Sequence, residues 1–310
     1  MDNTTAIKQH PSRFKHLLNL AKKYPPLVTA VVHPTTADAL KGALNAATAK
    51  LIRPILIGPK TKITATAREL NIDLNPYEII DEPHSHAATQ CAVALAKQDK
   101  VQMLMKGSLH TDELMHEVLG YQGGLRTDKR ISHVFILDVP TYHKFLLLSD
   151  CAINIAPDLT IKRDIVQHAI NLAHAIGISQ PKVALLSAIE TVESSIPSTI
   201  DAAALCKMAD RGQITGAILD GPLAFDNAIS KAAADEKNIM SMVAGDADIL
   251  IAPNLEAGNI LAKQLEYLAG AQTSGIALGA KVPIVLTSRS DSALARVLSC
   301  ALGVLYLHRK

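Results

Sequence analysis

The chain has no tryptophan and only four phenylalanines, so aromatic side chains make up 3 % of its 310 residues. Proteins that hold single-stranded nucleic acid stack bases on aromatic rings inside a basic groove. Here 31 basic residues stand against 29 acidic ones, for a net charge of +2, and no block of lysine or arginine stands out. Nucleic-acid binding is therefore set aside. Cysteine is also scarce: Cys91, Cys151, Cys206 and Cys300 lie far apart, with no Cys-x-x-Cys among them. That spacing argues against a zinc site or a disulfide framework and fits free thiols in a reducing compartment. The opening residues Met-Asp-Asn-Thr-Thr are polar, and no uninterrupted apolar run reaches membrane-spanning length. The expected location is the cytoplasm.

Several catalytic signatures are missing too. No Gly-x-Gly-x-x-Gly follows a strand, and neither Gly-x-x-x-x-Gly-Lys-Ser/Thr nor Gly-x-Ser-x-Gly occurs. The twelve histidines include no His-Glu-x-x-His. His110 and His116 are six residues apart, which points them to different faces of a helix, and His84 and His86 sit where a helix would start. Local hydrogen bonding explains these histidines better than metal ligation does.

What is present is a chain built for packing. Hydrophobic residues reach 48 % and charged residues 19 %, which describes a well-packed globular protein too long for one comfortable core. Residues 12–23 carry Phe14, Leu17, Leu18 and Ala21 on one helical face. A β-rich run follows at 27–32, and Leu40, Ala43, Leu44 and Ala47 mark a second helix. Strands at 53–58, 77–81 and 101–105 alternate with helices at 84–97 and 111–119. Two β-rich segments, 131–139 and 144–149, are joined only by Pro140-Thr-Tyr-His143 and either pair antiparallel or carry the chain into a second domain. Beyond them, helices at 159–176, 197–211, 225–235 and 255–268 alternate with strands at 182–187, 214–219, 249–252 and 276–278. Strands apolar on both faces and alternating with helices predict a parallel sheet covered on both sides. The expected domains are residues 1–139 plus 289–310, and residues 140–288.

Chemistry concentrates at strand ends, where open α/β sheets bind ligands. The run Lys281-Val-Pro-Ile-Val-Leu-Thr-Ser-Arg-Ser-Asp291 takes an apolar strand directly into a helix whose Leu294, Val297, Leu298, Ala301, Leu302 and Leu305 bury one side. This spacing places the helix start near Ser290, where unpaired N–H groups and the positive dipole end suit an anion. Arg289 adds a planar fork, Ser288 a hydroxyl and Asp291 a carboxylate. Alone, this could be mere capping by Ser290. Other strand ends carry further polar groups: Lys106 before Gly107, Asp220 before Gly221-Pro222, and Asn254 after Ala252-Pro253. Gly258 and Asn259 are poor helix formers inside the helix at 255–268 and point to close packing or ligand contact. The loop Gly123-Gly124-Leu125-Arg126-Thr127 holds an arginine suited to phosphate.

In this order, Leu104-Met-Lys-Gly107, Leu125-Arg-Thr127 with Ser132-His133, Asp220-Gly-Pro-Leu223 with Phe225-Asp226, Ala252-Pro-Asn254 to Gly258-Asn259, and Thr287-Ser-Arg289 resemble the phosphate acetyltransferase and phosphate butyryltransferase family. The resemblance runs from about Leu104 to the C-terminus and more weakly through the first hundred residues. It implies an α/β fold of two doubly wound domains with a central cleft, like isocitrate and isopropylmalate dehydrogenases, and usually a homodimer. It also implies exchange of coenzyme A and phosphate on a short acyl group, with coenzyme A as substrate, no permanently bound cofactor and no metal. Arg289 would bind the phosphoryl group, Ser288 would orient the thiol or bond the carbonyl oxygen, and Asp291 would take the thiol proton. Lys106, Arg126, Thr127, Asp220, Asn254 and Asn259 are the candidate coenzyme or phosphate contacts. The acetyl-type pattern has an acid about two helical turns beyond the Ser-Arg pair, and here that place is Ala295. Asp291 replaces it, or bound coenzyme ionises by electrostatics alone.

Two rivals are a metal- and NAD-dependent decarboxylating dehydrogenase, for which Asp246 and Asp248 are too few carboxylates, and a non-catalytic coenzyme A-binding protein. If the acyl-transfer reading holds, Arg289→Ala lowers turnover by several powers of ten (on the order of 10³) and Asp291→Asn by less, measured as phosphate-dependent release of coenzyme A. Near-wild-type turnover in the Arg289 variant removes the assignment.

Overall fold

The computed structural model describes residues 13–120, 124–287 and 291–309. Its first half runs α1 (Phe14–Ala21), β1 (Leu27–Val32), α2 (Ala37–Thr48), β2 (Ile52–Gly58), α3 (Lys60–Glu69), β3 (Glu78–Asp81), α4 (Ser85–Lys97), β4 (Met103–Lys106), α5 (Thr111–Val118), β5 (Ser132–Asp138) and β6 (Leu146–Ser149). The second half runs α6 (Leu159–Ala175), β7 (Lys182–Leu186), α7 (Pro197–Asp210), β8 (Ile218–Leu223), α8 (Phe225–Ile229), α9 (Lys231–Glu236), β9 (Ile249–Ile251), α10 (Leu255–Tyr267), β10 (Gln272–Leu278), β11 (Ile284–Val285) and α11 (Ala293–Arg309).

Among the described residues the strands form one sheet of eleven, in the order β3-β2-β1-β4-β11-β10-β5-β6-β9-β7-β8. This corrects the expectation of two doubly wound parallel domains, while of the two outcomes left open for 131–139 and 144–149 antiparallel pairing is the one formed. The physical reason lies in the middle of the order. β10 pairs antiparallel with β5 from Gln272↔Asp138 to Leu278↔Ser132, and antiparallel with β11. β5 in turn pairs antiparallel with β6. Parallel pairing is confined to the two flanks, β3-β2-β1-β4-β11 and β6-β9-β7-β8. The segment Gln272-Thr-Ser-Gly275 is too polar to read as a strand, yet Thr273 and Ser274 are buried in it because both neighbours and a helix cover them.

Side chains alternate across the sheet as a strand requires. Val31 joins the core beneath α1, α2, α6, α7 and α11, while its neighbours Ala30 and Val32 join the core beneath α4 and α5. α11 packs on α1, α2, α6 and β10, and residues 295–306 along it are all buried. Ser299 fixes its height on the sheet: its hydroxyl donates to the Ala295 carbonyl at 2.8 Å and accepts from the Gly275 N–H at 3.0 Å.

A charge cluster sets the alignment of β6, β9 and β7. Lys144 Nζ lies 2.9 Å from Asp246 and 2.8 Å from Asp248, Lys182 Nζ lies 2.6 Å from Asp246, and the Lys182 N–H donates to Asp248 at 2.8 Å. The two aspartates are thus turn residues gripped by lysines. Burial alone would raise the Asp246 carboxyl, but hydrogen bonds from Lys182 and Lys144 outweigh it and hold the group well below the usual carboxylate range. A lowered native value stabilises the fold above the unfolded pKa of about 3.9, and that contribution disappears as pH falls through the native value. Asp246→Asn should therefore lower the urea midpoint at neutral pH, with the gap to wild type closing below about pH 4. A gap that widens on acidification contradicts the assignment.

Candidate functional site

The parallel register Ile284↔Leu104 and Val285↔Met105 brings Lys106 out of β4 level with Leu286, and Val32 of β1 lies beside Lys106. The chain leaves these strands at one edge of the sheet, at His33, Gly107 and Thr287. Lys106 is only 2 % exposed, and its ammonium donates to the Leu109 carbonyl at 3.1 Å. A buried cation at a strand end creates a positive field that water screens poorly.

In the strands next to β4, three buried polar atoms lack a hydrogen-bond partner among the described residues: Thr287 Oγ1 just past β11, Ser274 Oγ in β10 and His133 Nδ1 in β5. Buried polar atoms are normally paired, and alternation along β10 and β5 puts Ser274 on the face towards α11 and His133 on the other face, so these atoms do not form one site. The His133 Nε2 faces the Leu286 carbonyl at 3.0 Å, so Nε2 carries the hydrogen and Nδ1 is an acceptor. Burial lowers the His133 pKa, against the opposing pull of Asp150, the Leu286 carbonyl and Asp291. Asp150 itself is occupied: its carboxylate accepts N–H groups from Ala152 at 2.9 Å, Ile153 at 3.2 Å and Asn154 at 3.1 Å.

Ser288, Arg289 and Ser290 lie outside the described residues. Asp291 is described and is 8 % exposed. α11 begins at Ala293, and the cap is Ser292, whose hydroxyl accepts the Ala295 N–H at 3.2 Å. This start is later than the helical spacing suggested and leaves Asp291 outside the helix. Two neighbours of Asp291 have no sequence signature. Arg296, 1 % exposed, donates through Nη1 to the Asp291 carbonyl oxygen. Glu266, in the last turn of α10, is half-buried, and its pKa is raised first by burial and then by the charge of Asp291. Both stand in ordinary helical runs, and only the fold places them here.

The remaining candidates are not gathered at this edge. Thr127 donates to the Gly279 carbonyl at 2.7 Å, where β10 turns back towards β11. That is the opposite edge, and the exposed Arg126 belongs to the same loop. A cavity of about 440 Å³ opens there, lined by Thr127, Arg163, His168, Gly279, Lys281 and Tyr306 among others. Asn254 caps α10, accepting the Ala257 N–H at 2.9 Å. Asn259 donates to the Cys151 carbonyl at 3.0 Å. Gly258 allows that approach, since a Cβ there would lie 2.3 Å from the Asp150 carbonyl oxygen. Asp220 bonds the Gly221 N–H at 2.8 Å on edge strand β8. β8 is six strand spacings from β11, or roughly 29 Å across the sheet.

These features define an α/β protein with a mixed sheet and a buried lysine, Lys106, at the edge where β4 and β11 end. Comparison with known proteins is specific. The family model described as Phosphate acetyl/butaryl transferase matches residues 85–304. The chain is 57 % identical over 97 % of its length to a phosphate acetyltransferase of Rhizobium meliloti, covering 95 % of that protein. It is 40 % identical over 96 % of its length to a phosphate butyryltransferase of Clostridium beijerinckii, covering 98 % of it. The solved structure of a branched-chain phosphotransacylase from Enterococcus faecalis V583 superposes with a TM-score of 0.78 at 31 % identity, covering 92 % of this chain and all of that one. The chain belongs to the phosphate acetyl/butyryl transferase family. A phosphotransacylase fold replaces the expected isocitrate/isopropylmalate dehydrogenase-like assignment.

Proposed function

We propose that this protein is an acyltransferase that exchanges phosphate and coenzyme A on a short-chain acyl group. The likeness to an acetyltransferase and a butyryltransferase over nearly the whole chain carries this reading. The chemistry needs a pocket for a phosphoryl dianion and help for a thiol with a pKa of about 8.5. Lys106, the start of α11 and Arg289 supply the positive side. As the thiolate attacks the acyl carbonyl, phosphate departs with its charge offset by Arg289, while Ser288 bonds the carbonyl oxygen. Asp291 accepts the thiol proton. Ala295 offers no acid in its place, and Glu266 keeps a second carboxyl near Asp291. In the reverse direction phosphate is the nucleophile and the same groups act in mirrored roles.

On this reading coenzyme A is a substrate rather than a resident cofactor, and the enzyme works in the cytoplasm as a homodimer. Among the described residues no helix is long and apolar enough to cross a membrane. A division into residues 1–139 with 289–310 and residues 140–288 places Thr287 and Asp291 on either side of the second crossing between the parts. Acetyl-CoA and butyryl-CoA assayed side by side should release free thiol only when phosphate is added, with the two rates ranking the acyl pocket. No phosphate-dependent release from either thioester overturns the reading.

A further inference from the structure

Arg296 is the largest fully buried side chain of the described protein, yet it lies in the first turn of α11. A cation there opposes the helix dipole, and burying an ion costs several kcal/mol unless its surroundings compensate (roughly, for each ion). The surroundings are specific. Nη1 donates to the Asp291 carbonyl and lies 3.4 Å from the Ser292 carbonyl, so the guanidinium holds two consecutive peptide units at the end of the Ser288–Ser292 segment. Across from it, α2 presents Gly42, where a Cβ would lie 2.6 Å from Arg296 Cδ and 2.9 Å from its Cβ. Burial disfavours the guanidinium charge, and the charge of Asp291, then that of Asp38 one turn before Gly42 on α2, opposes this in part. α2 has no other evident reason to carry a glycine in its interior, where alanine is better by about 1 kcal/mol.

We propose that Arg296 is a positioning residue for acyl transfer: it clamps the Asp291 and Ser292 main chain from beneath, and Gly42 is kept small to leave room for the clamp. The inference rests on the acyltransferase reading. The clamp fixes the main chain that carries the Asp291 carboxylate. Misplacement of such groups by about 1 Å is enough to lower turnover by about 10²-fold.

Arg296→Met keeps the unbranched stem and much of the volume of the side chain and removes the guanidinium. A buried ion exchanged for an apolar group of similar volume is often neutral for stability, so this variant separates folding from positioning. It should unfold cooperatively, with kcat for phosphate-dependent thiol release lowered about tenfold or more and KM values changed by less than about threefold. Arg296→Lys should recover part of kcat, because an ammonium can still reach a carbonyl. A folded Arg296→Met with wild-type kcat overturns the proposal. If that variant does not fold, Gly42→Ala decides. Crowding of the clamp should lower its kcat with the fold intact, and wild-type kcat would overturn the proposal. Wild-type protein without phosphate-dependent release would end both the functional reading and this inference, whereas an active wild type with an equally active Met variant ends the inference alone.

Discussion

The antiparallel ladder between β5 and β10 is the constraint on which the rest of the molecule depends. It sits at the centre of the eleven-stranded sheet and joins two parallel flanks that run in opposite directions. Each flank therefore opens its strand ends at a different edge. Lys106 and Thr287 emerge together at one edge, while the β6 and β9 ends, with Asp150 and Asn254, emerge at the other. A purely parallel arrangement would have placed all the polar strand ends on one side. The reversal divides them: the buried Lys106 and the start of α11 stand at the first edge, and the buried Lys162 stands near the ends of β7 and β9 at the other.

Electrostatics at that edge are set by burial. Lys106 and Arg296 are both almost wholly removed from solvent, and each directs its charge to main-chain carbonyls. Their fields are poorly screened at this edge, where Asp291 is buried and its charge is felt by Glu266. His133 is kept neutral by the same burial and offers an acceptor rather than a charge. α11 ties these parts together: it starts at the site, passes over β10 through Ser299 and packs against four other elements.

Much of this was legible from residue spacing, and the exceptions have physical reasons. β1, α4, α6 and α10 follow hydrophobic periodicity closely. α3 does not, because Lys60-Thr-Lys-Ile-Thr-Ala-Thr has little apolar period; it is held by Ile63 and Ala67 in the core and by the Thr66 hydroxyl on the Thr35 carbonyl. β8 begins later than its apolar run suggests, since Thr215 exchanges hydrogen bonds with the Gln167 side chain instead of a neighbouring strand. The lone polar half of β10 hid the antiparallel centre, and with it the mixed character of the sheet. Of the residues proposed for the site, Lys106 and Asp291 have a signal in the sequence, their place after apolar strands. Arg296 and Glu266 have none, because their relation to Asp291 exists only once α10 and α11 are packed. Asn254, Asn259 and Thr127 carried the right chemistry, but their side chains bond caps and carbonyls elsewhere in the fold.

The central claim is that substrates are held at the edge where β4 and β11 end. Amide hydrogen exchange with coenzyme A and phosphate present tests it directly, because the two edges fall in separate peptides. Slower exchange at residues 106–110 and 287–292, with residues 124–131 and 278–281 unchanged, is the result this account predicts. Protection confined to residues 124–131 and 278–281 would contradict it and move the site to the opposite edge.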